Sequence, residues 1–95
     1  MIIVTGAVIA RPDSFDAQRE ASLAHVARSR LEDGCISHAV HVDCENPLRL
    51  FFFERWHDMP ALEAHGRQPG SREFLTAVRD LTASSEGISI WPTID

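Results

Sequence analysis

Four side chains of this sequence could do chemistry on a small molecule: His38, Glu54, Trp56 and His65. A histidine side chain can accept a proton near neutral pH, so His65 could act as a base toward a phenol-like substrate. Glu54 could accept a hydrogen bond from a substrate, and Trp56 could wall a pocket and offer its indole N–H. His38 lies among apolar residues of its strand, where one polar group could orient a ligand in an otherwise apolar cavity.

Each of these four residues also has a purely structural interpretation. Glu54 could pair with a neighbouring arginine, and Trp56 could simply fill the core. His65 precedes Gly66 at a predicted helix end, where an imidazole complements the helix dipole. His38 could be a core histidine with satisfied hydrogen bonds. The residues alone leave both interpretations open.

The elements that must position these side chains follow the order β-α-β-β-α-α-β. Strands are predicted over Ile2 to Ala10, Cys35 to Cys44, Leu48 to His57 and Ile88 to Trp91. The predicted helices run from Pro12-Asp13-Ser14 to about Asp33, from Asp58 to near His65-Gly66, and onward from Ser71. Two crossovers and one hairpin on four strands indicate an α+β fold of the ferredoxin-like, split βαβ kind, with a four-stranded antiparallel sheet.

Apolar stripes predict which helix faces are buried. The first helix shows Leu23, Val26, Ala27 and Leu31 on one side, with Asp13 as a candidate N-cap and Gly34 as its stop. The last helix shows the stripe Phe74, Leu75, Val78 and Leu81. Both stripes are expected to face the sheet.

The first and third strands are apolar on both faces. One face is expected to carry Ile3, Ile9, Phe51 and Phe53, and the other Val4, Val8, Leu50 and Phe52. Helices can cover only one face in this topology. A bare apolar sheet exceeds what a monomer usually exposes, so a homodimer is expected, as in a dimeric α/β barrel.

Composition narrows the class of protein. A chain of 95 residues makes one domain, 1–95, and its net charge of −5 argues against a nucleic-acid or anionic-membrane partner. The N-terminus lacks a signal-peptide pattern, and no run approaches the ~20 apolar residues of a membrane helix, so a cytoplasmic protein is expected. His38 and His41 point to opposite faces of their strand, and no paired-histidine or C-x-x-C motif is present. No dedicated metal site is therefore expected.

The chain resembles the antibiotic biosynthesis monooxygenase (ABM) domain family along nearly its whole length. The resemblance rests on the order and spacing of Gly34-Cys35-Ile36-Ser37, Val40, Asn46-Pro47, Phe52-Phe53-Glu54-Arg55-Trp56, Ala61-Leu62-Glu63-Ala64-His65 and Phe74-Leu75. It implies a dimeric ferredoxin-like fold and, in some members, oxygenation of quinols or polycyclic phenols without a cofactor. Haem-degrading relatives carry an asparagine on the first strand, where this chain reads Thr5-Gly6-Ala7, so haem degradation is disfavoured.

The resemblance assigns roles to particular residues. Trp56 and His65 match the pocket tryptophan and histidine and are the expected catalytic residues, with no metal or other cofactor. The expected lining of the substrate pocket is His38, Phe52, Glu54 and Phe74. Two other functions stay open: a non-catalytic dimer that binds a small aromatic, and an isomerase or lyase of the same barrel class.

Overall fold

The computed structural model describes residues 1–95 as a four-stranded antiparallel sheet with three helices. The strands are β1 (Ile2–Ala10), β2 (Cys35–Asp43), β3 (Asn46–Trp56) and β4 (Thr82–Pro92), in the spatial order β2-β3-β1-β4. The helices are α1 (Phe15–Ser29), α2 (Met59–Arg67) and α3 (Pro69–Arg79). This is the predicted ferredoxin-like arrangement. No helix is both long enough and apolar enough to cross a membrane.

The strand register divides the sheet into two faces. Opposite residues are Val4 and Glu54 on β1 and β3, and His38 and Glu54 on β2 and β3. Residues directly opposite each other point the same way, so these three side chains share one face. Ile2, Val4 and Trp56 form a buried cluster on that face against Ala61 and Leu62 of α2. The helix-covered face therefore carries the predicted site.

A β-bulge in β2 changes the face of its first residue. Cys35 lies opposite Trp56 while Ser37 lies opposite Arg55, so Ile36 is the extra residue of the bulge. Strict alternation along the strand predicted from Cys35 to Cys44 puts residues an odd number apart on opposite faces, so the sequence predicts Cys35 on the face away from His38. That prediction was wrong, because the extra residue turns Cys35 toward the helices, where it packs against the Trp56 cluster.

Helix α1 buries a different stripe from the one predicted. Leu23 is 41% exposed, and Leu31, which was expected to lie in the helix, is 89% exposed beyond its end at Ser29. The buried residues are Gln18, Ser22, His25, Val26 and Ser29. The hydroxyl groups of Ser22 and Ser29 donate to the carbonyl oxygens four residues earlier, at 2.7 and 2.8 Å. Local bonding satisfies these polar groups, so the helix can bury a polar stripe.

Other boundaries also differ from the sequence-based expectation. Ser14, not Asp13, occupies the N-cap position of α1. Helix α3 begins at Pro69. A proline is tolerated in the first turn of a helix, because the backbone N–H that it lacks would have no partner within the helix. Ser71 lies inside this helix, and its hydroxyl donates to the carbonyl oxygen of His65 at 2.7 Å. Strand β4 starts at Thr82, six residues before the predicted start at Ile88.

The outer face of the sheet has no helix over it. Phe53 lies opposite Thr5 across β3 and β1, and Ile3 lies opposite Trp91 across β1 and β4. Trp91 is 55% exposed, and its indole N–H donates to the hydroxyl of Thr5 at 3.0 Å. An apolar group of side chains thus remains on this side of the chain.

Gly34 makes the tight connection from α1 to β2. Its φ of 84° lies in the left-handed region, which side chains disfavour, and a Cβ there would stand 2.4 Å from the Cβ of Ala61. Gly87 in β4 has a similar φ of 80°, but nothing lies within 4 Å of its would-be Cβ. A comparison of alanine substitutions at the two glycines therefore separates the cost of the left-handed backbone from the cost of a steric clash with Ala61.

We expect Gly34→Ala to lower the free energy of unfolding by about 2–4 kcal/mol, and Gly87→Ala by only about 1 kcal/mol. Both changes incur the left-handed backbone cost, and only the first also pushes α2 away from the sheet. Urea unfolding followed by tryptophan fluorescence measures both values. Equal losses in the two variants would contradict the close approach of Gly34 to Ala61.

Candidate functional site

A cavity of about 400 Å³ lies between the sheet and the helices. Its walls include Val4 and Phe52 from the sheet, Leu62 from α2, and Phe74 and Val78 from α3. This size and apolar lining suit one small aromatic molecule. The titratable side chains of the lining are grouped at one end.

Three imidazoles meet at that polar end, one from each of three elements. His25 comes from α1, His38 from β2 and His65 from α2, and all three are buried. The ring centroids of His25 lie 5.3 Å from those of both His38 and His65, which are 5.7 Å from each other. The fold thus brings together residues 40 positions apart in the chain.

His65 is held by a carboxylate on its outer side. Its Nδ1 lies 2.9 Å from Oε1 of Glu32, in the turn after α1. A carboxylate accepts only, so Nδ1 carries the proton and Nε2 of a neutral imidazole keeps its lone pair. Nε2 faces Glu54, whose Oε1 is 4.0 Å away. The indole ring of Trp56 packs 4.7 Å from the imidazole and fixes its plane.

Glu54 is a largely buried carboxylate, with 13% of its side chain exposed. Trp56 Nε1 donates to its Oε1 at 2.9 Å, and the other oxygen, Oε2, lies 3.6 Å from Nε2 of His38. Burial raises the pKa of Glu54, while the Trp56 hydrogen bond and the nearby His65 lower it. Oε1 is therefore held by the hydrogen bond from Trp56, while Oε2 is free to accept a hydrogen bond at the end of the cavity.

His38 and His25 are kept neutral by their surroundings. Burial, followed by the neighbouring imidazoles, lowers the pKa of His38 to about 3 and that of His25 to about 4. The 3.6 Å contact between His38 and Glu54 is therefore not an ion pair at pH 7. Both ring nitrogens of His38 are buried without a hydrogen-bond partner. Arg28 Nη2 lies 3.5 Å from His25 Nδ1, at the limit of a hydrogen bond.

The aromatic wall completes the cavity. The ring of His25 stacks on Phe74 with centroids 4.2 Å apart and planes 4° from parallel. Phe52 meets Phe74 edge to face at 6.1 Å. Leu75 and Ile88 line the cavity yet are 64% and 72% exposed, so the cavity opens between α3 and β4.

The structure places five of the six predicted site residues in the cavity wall: His38, Phe52, Glu54, His65 and Phe74. Trp56 is fully buried behind Glu54 and does not line the cavity. Its position fits support of Glu54 and His65 better than contact with a ligand. The chemical roles of all six stay predictions.

Sequence reasoning missed His25 and Glu32. A signal for His25 existed, because Gln18, Ser22, His25 and Ser29 recur at the helical spacing of four, three and four residues. The prediction instead followed the apolar stripe that begins at Leu23 and Val26, which lies one residue further along the chain than Ser22 and His25. Glu32 carries no local signal, because only the turn after α1 brings it to His65.

The sequence profile of a known family, described as antibiotic biosynthesis monooxygenase, matches residues 1–85. The chain belongs to the antibiotic biosynthesis monooxygenase family. The family predicted from the motifs is thus confirmed, while the name by itself identifies neither a substrate nor an activity of this member.

Relatives of this ABM protein share its fold at low sequence identity. A curated relative, the uncharacterized protein sll1783 of Synechocystis, is 32% identical over 90 residues; these are 95% of this chain, which spans 61% of that protein's length. Among solved structures, an ABM protein of Deinococcus radiodurans has a TM-score of 0.95 at 23% identity, covering 100% of this chain and 94% of that one. Rv0793 of Mycobacterium tuberculosis has a TM-score of 0.90 at 25% identity, covering 99% and 95%.

We expect His38→Leu to raise the free energy of unfolding of the chelator-treated ABM protein by about 1–3 kcal/mol. The substitution is close to volume-neutral and removes two buried nitrogens that lack partners, each of which costs stability. Chemical denaturation measures the change. The matched control, His57→Leu at an exposed histidine, should stay within about 0.5 kcal/mol. A loss of stability in His38→Leu would mean that His38 has a bonding partner.

Proposed function

We propose that this ABM protein is a monooxygenase that oxidises a small quinol or polycyclic phenol bound in the cavity. The observation that carries the proposal is His65, which lines the cavity with its Nδ1 held by Glu32 at 2.9 Å and its Nε2 4.0 Å from Glu54 Oε1. This is the arrangement of an oriented general base beside a pocket for a flat ring.

Proton removal is the step that His65 performs. A substrate hydroxyl donates its proton to Nε2, and the resulting imidazolium is stabilised by Glu32 on one side and Glu54 on the other. The deprotonated ring is electron-rich and passes electrons to O₂. A dihydroxynaphthalene plus O₂ then gives a hydroxynaphthoquinone plus water. Atoms and electrons balance, because the substrate itself supplies all the electrons that reduce the second oxygen atom.

The other cavity residues bind and orient the ring. Phe52 and Phe74 present an edge-to-face aromatic corner, against which a flat substrate packs. His38 and the free oxygen of Glu54 offer hydrogen bonds to a second substrate hydroxyl, which sets the orientation of the ring. Trp56 acts one layer behind, as a positioning residue for Glu54 and His65.

O₂ consumption with a reduced naphthoquinol, in buffer containing a chelator, tests this function. We expect His65→Gln to lower kcat/KM by about 100-fold or more, because the proton acceptor is lost. Glu32→Gln should lower it by roughly 10-fold, because the base remains but its tautomer and orientation are less defined. His57→Gln, at an exposed histidine outside the cavity, serves as the matched control and should keep full activity.

The same assay separates the competing functions. No acceleration over autoxidation with any of several quinols would contradict the monooxygenase. Saturable binding of the aromatic without product would instead indicate a binding protein. Product formed under strict anaerobiosis would indicate an isomerase or lyase that uses the same base without oxygen.

We also propose that two copies pair through the outer face of the sheet. Ile3, Phe53 and Trp91 lie together on this face without a helix over them. A second sheet, packed face to face, would remove these side chains from water. The pairing is isologous, because each copy offers the same face to the other.

We expect Phe53→Asp to convert the dimer into a monomer, because a buried carboxylate without a partner is costly at an interface. Sedimentation equilibrium should show the mass falling by half. The control is Leu31→Asp, which puts the same charge on an exposed leucine far from this face and should leave the dimer intact. A monomeric wild-type protein, or a dimer that survives Phe53→Asp, would overturn the pairing.

A further inference from the structure

The three imidazoles at the end of the cavity form a group that proton transfer by His65 does not require. One ring nitrogen from each of His25, His38 and His65 lies within 4.8 Å of the others, and all three residues are buried. We propose that these histidines, with Glu54 as a fourth ligand, bind one divalent first-row transition-metal ion. This inference is independent of the proposed function.

The spacing of the rings fits a common metal centre. With metal–nitrogen bonds of ~2.1 Å and tetrahedral angles, imidazole centroids lie about 5.2 Å apart. The observed separations are 5.3, 5.3 and 5.7 Å. The plane of the His38 ring is 87° from that of His25 and 80° from that of His65, and the planes of His25 and His65 are 44° apart, so no two of these rings stack. Tetrahedral bonds of this length also place the ligand nitrogens about 3.4 Å apart, so the nitrogens, which lie within 4.8 Å of one another, close the set by turning inward by up to about 1.4 Å.

The unpartnered nitrogens of His38 are an independent reason for a ligand. The residue is 1% exposed, and neither ring nitrogen has a hydrogen-bond partner. Buried polar atoms are almost always paired, so an orphaned imidazole needs a physical explanation. A neutral imidazole has one ring nitrogen with a lone pair that can bind a metal ion. A metal ion in the space that the three histidines share satisfies these lone pairs.

Two carboxylates support the site in different ways. Glu32 accepts from Nδ1–H of His65 at 2.9 Å, which leaves Nε2 for the metal and is the usual support of a metal-bound histidine. Glu54 Oε2 lies 3.6 Å from His38 Nε2, while Trp56 occupies Oε1. A divalent ion bound near Glu54 and Glu32 has its charge balanced in a place where an unpaired charge would be costly.

The donor set selects the class of metal. Three imidazoles and one carboxylate suit Zn²⁺, Fe²⁺, Co²⁺, Ni²⁺ or Cu²⁺, whereas Mg²⁺ and Ca²⁺ prefer oxygen ligands. The ion would lie at the end of a cavity sized for an aromatic ring, so a phenolate oxygen would bind it as a fifth ligand or in place of Glu54. His65 Nε2 cannot be a free base and a metal ligand in the same molecule, so the two roles belong to separate forms of the protein.

Titration of chelator-treated protein with Zn²⁺ in a calorimeter tests the site. We expect one ion per chain with submicromolar affinity, and at least a 100-fold loss of affinity in His25→Leu and in His38→Leu. Co²⁺ should give the intense visible absorption of a four-coordinate site in the wild type and not in these variants. His38→Leu is expected to stabilise the protein, because it removes a polar group without a partner. Chemical denaturation therefore shows whether a loss of affinity in this variant is separate from unfolding.

The control and the contrary results are equally definite. His57→Leu removes an exposed histidine outside the cluster and should bind Zn²⁺ as the wild type does. The site is refuted if the wild type binds no ion at micromolar concentration, or if binding persists in both cluster variants. Affinity is read without turnover, so a failure here leaves the quinol assay in chelator unaffected, and inactivity in that assay leaves the metal titration unaffected.

Discussion

The hydrogen bond from Trp56 Nε1 to Glu54 Oε1 is the interaction on which the site depends. A buried carboxylate is costly unless its charge is bonded, and this bond comes from the same strand face two residues on. Trp56 packs in a buried cluster with Ile2 and Val4. This part of the core therefore positions Glu54, the cavity residue whose burial costs the most free energy. The indole ring also backs His65, and one residue thereby aligns two others.

The sheet could be predicted from the sequence because its rules are local and repetitive. Alternation along β1 and β3 placed Val4, Phe52 and Glu54 on one face, and the observed register agrees. The bulge at Ile36 could not be predicted in this way. The extra residue depends on how the first residue of β2, Cys35, pairs with Trp56. The alternation of apolar and polar residues along the strand contains no information on that contact.

The candidate site was predicted in part, and the omissions have one cause. Sequence motifs and the alternation of side chains along strands predicted the site residues His38 and Glu54, and the motifs also indicated His65 at the end of a helix. They gave no weight to α1, where an apolar stripe was expected to face the sheet. Gln18, Ser22 and Ser29 are instead buried there. The serine hydroxyls bond to the helix backbone, and Gln18 Nε2 donates to Thr82, while Gln18 Oε1 has no partner. Burial of a polar stripe is a tertiary property that local hydrophobicity does not encode.

The polar buried face of α1 also affects how the chain can change over evolutionary time. The apolar cluster of Ile2, Val4 and Trp56 stabilises the fold, while His38 and Gln18 in the cavity wall hold buried polar atoms without partners, which cost free energy. Substitutions near His25, Phe74 and the mouth at Ile88 can therefore alter recognition without endangering the fold. A lineage that inherits this scaffold can therefore change residues at the mouth of the cavity while it keeps the Trp56 cluster.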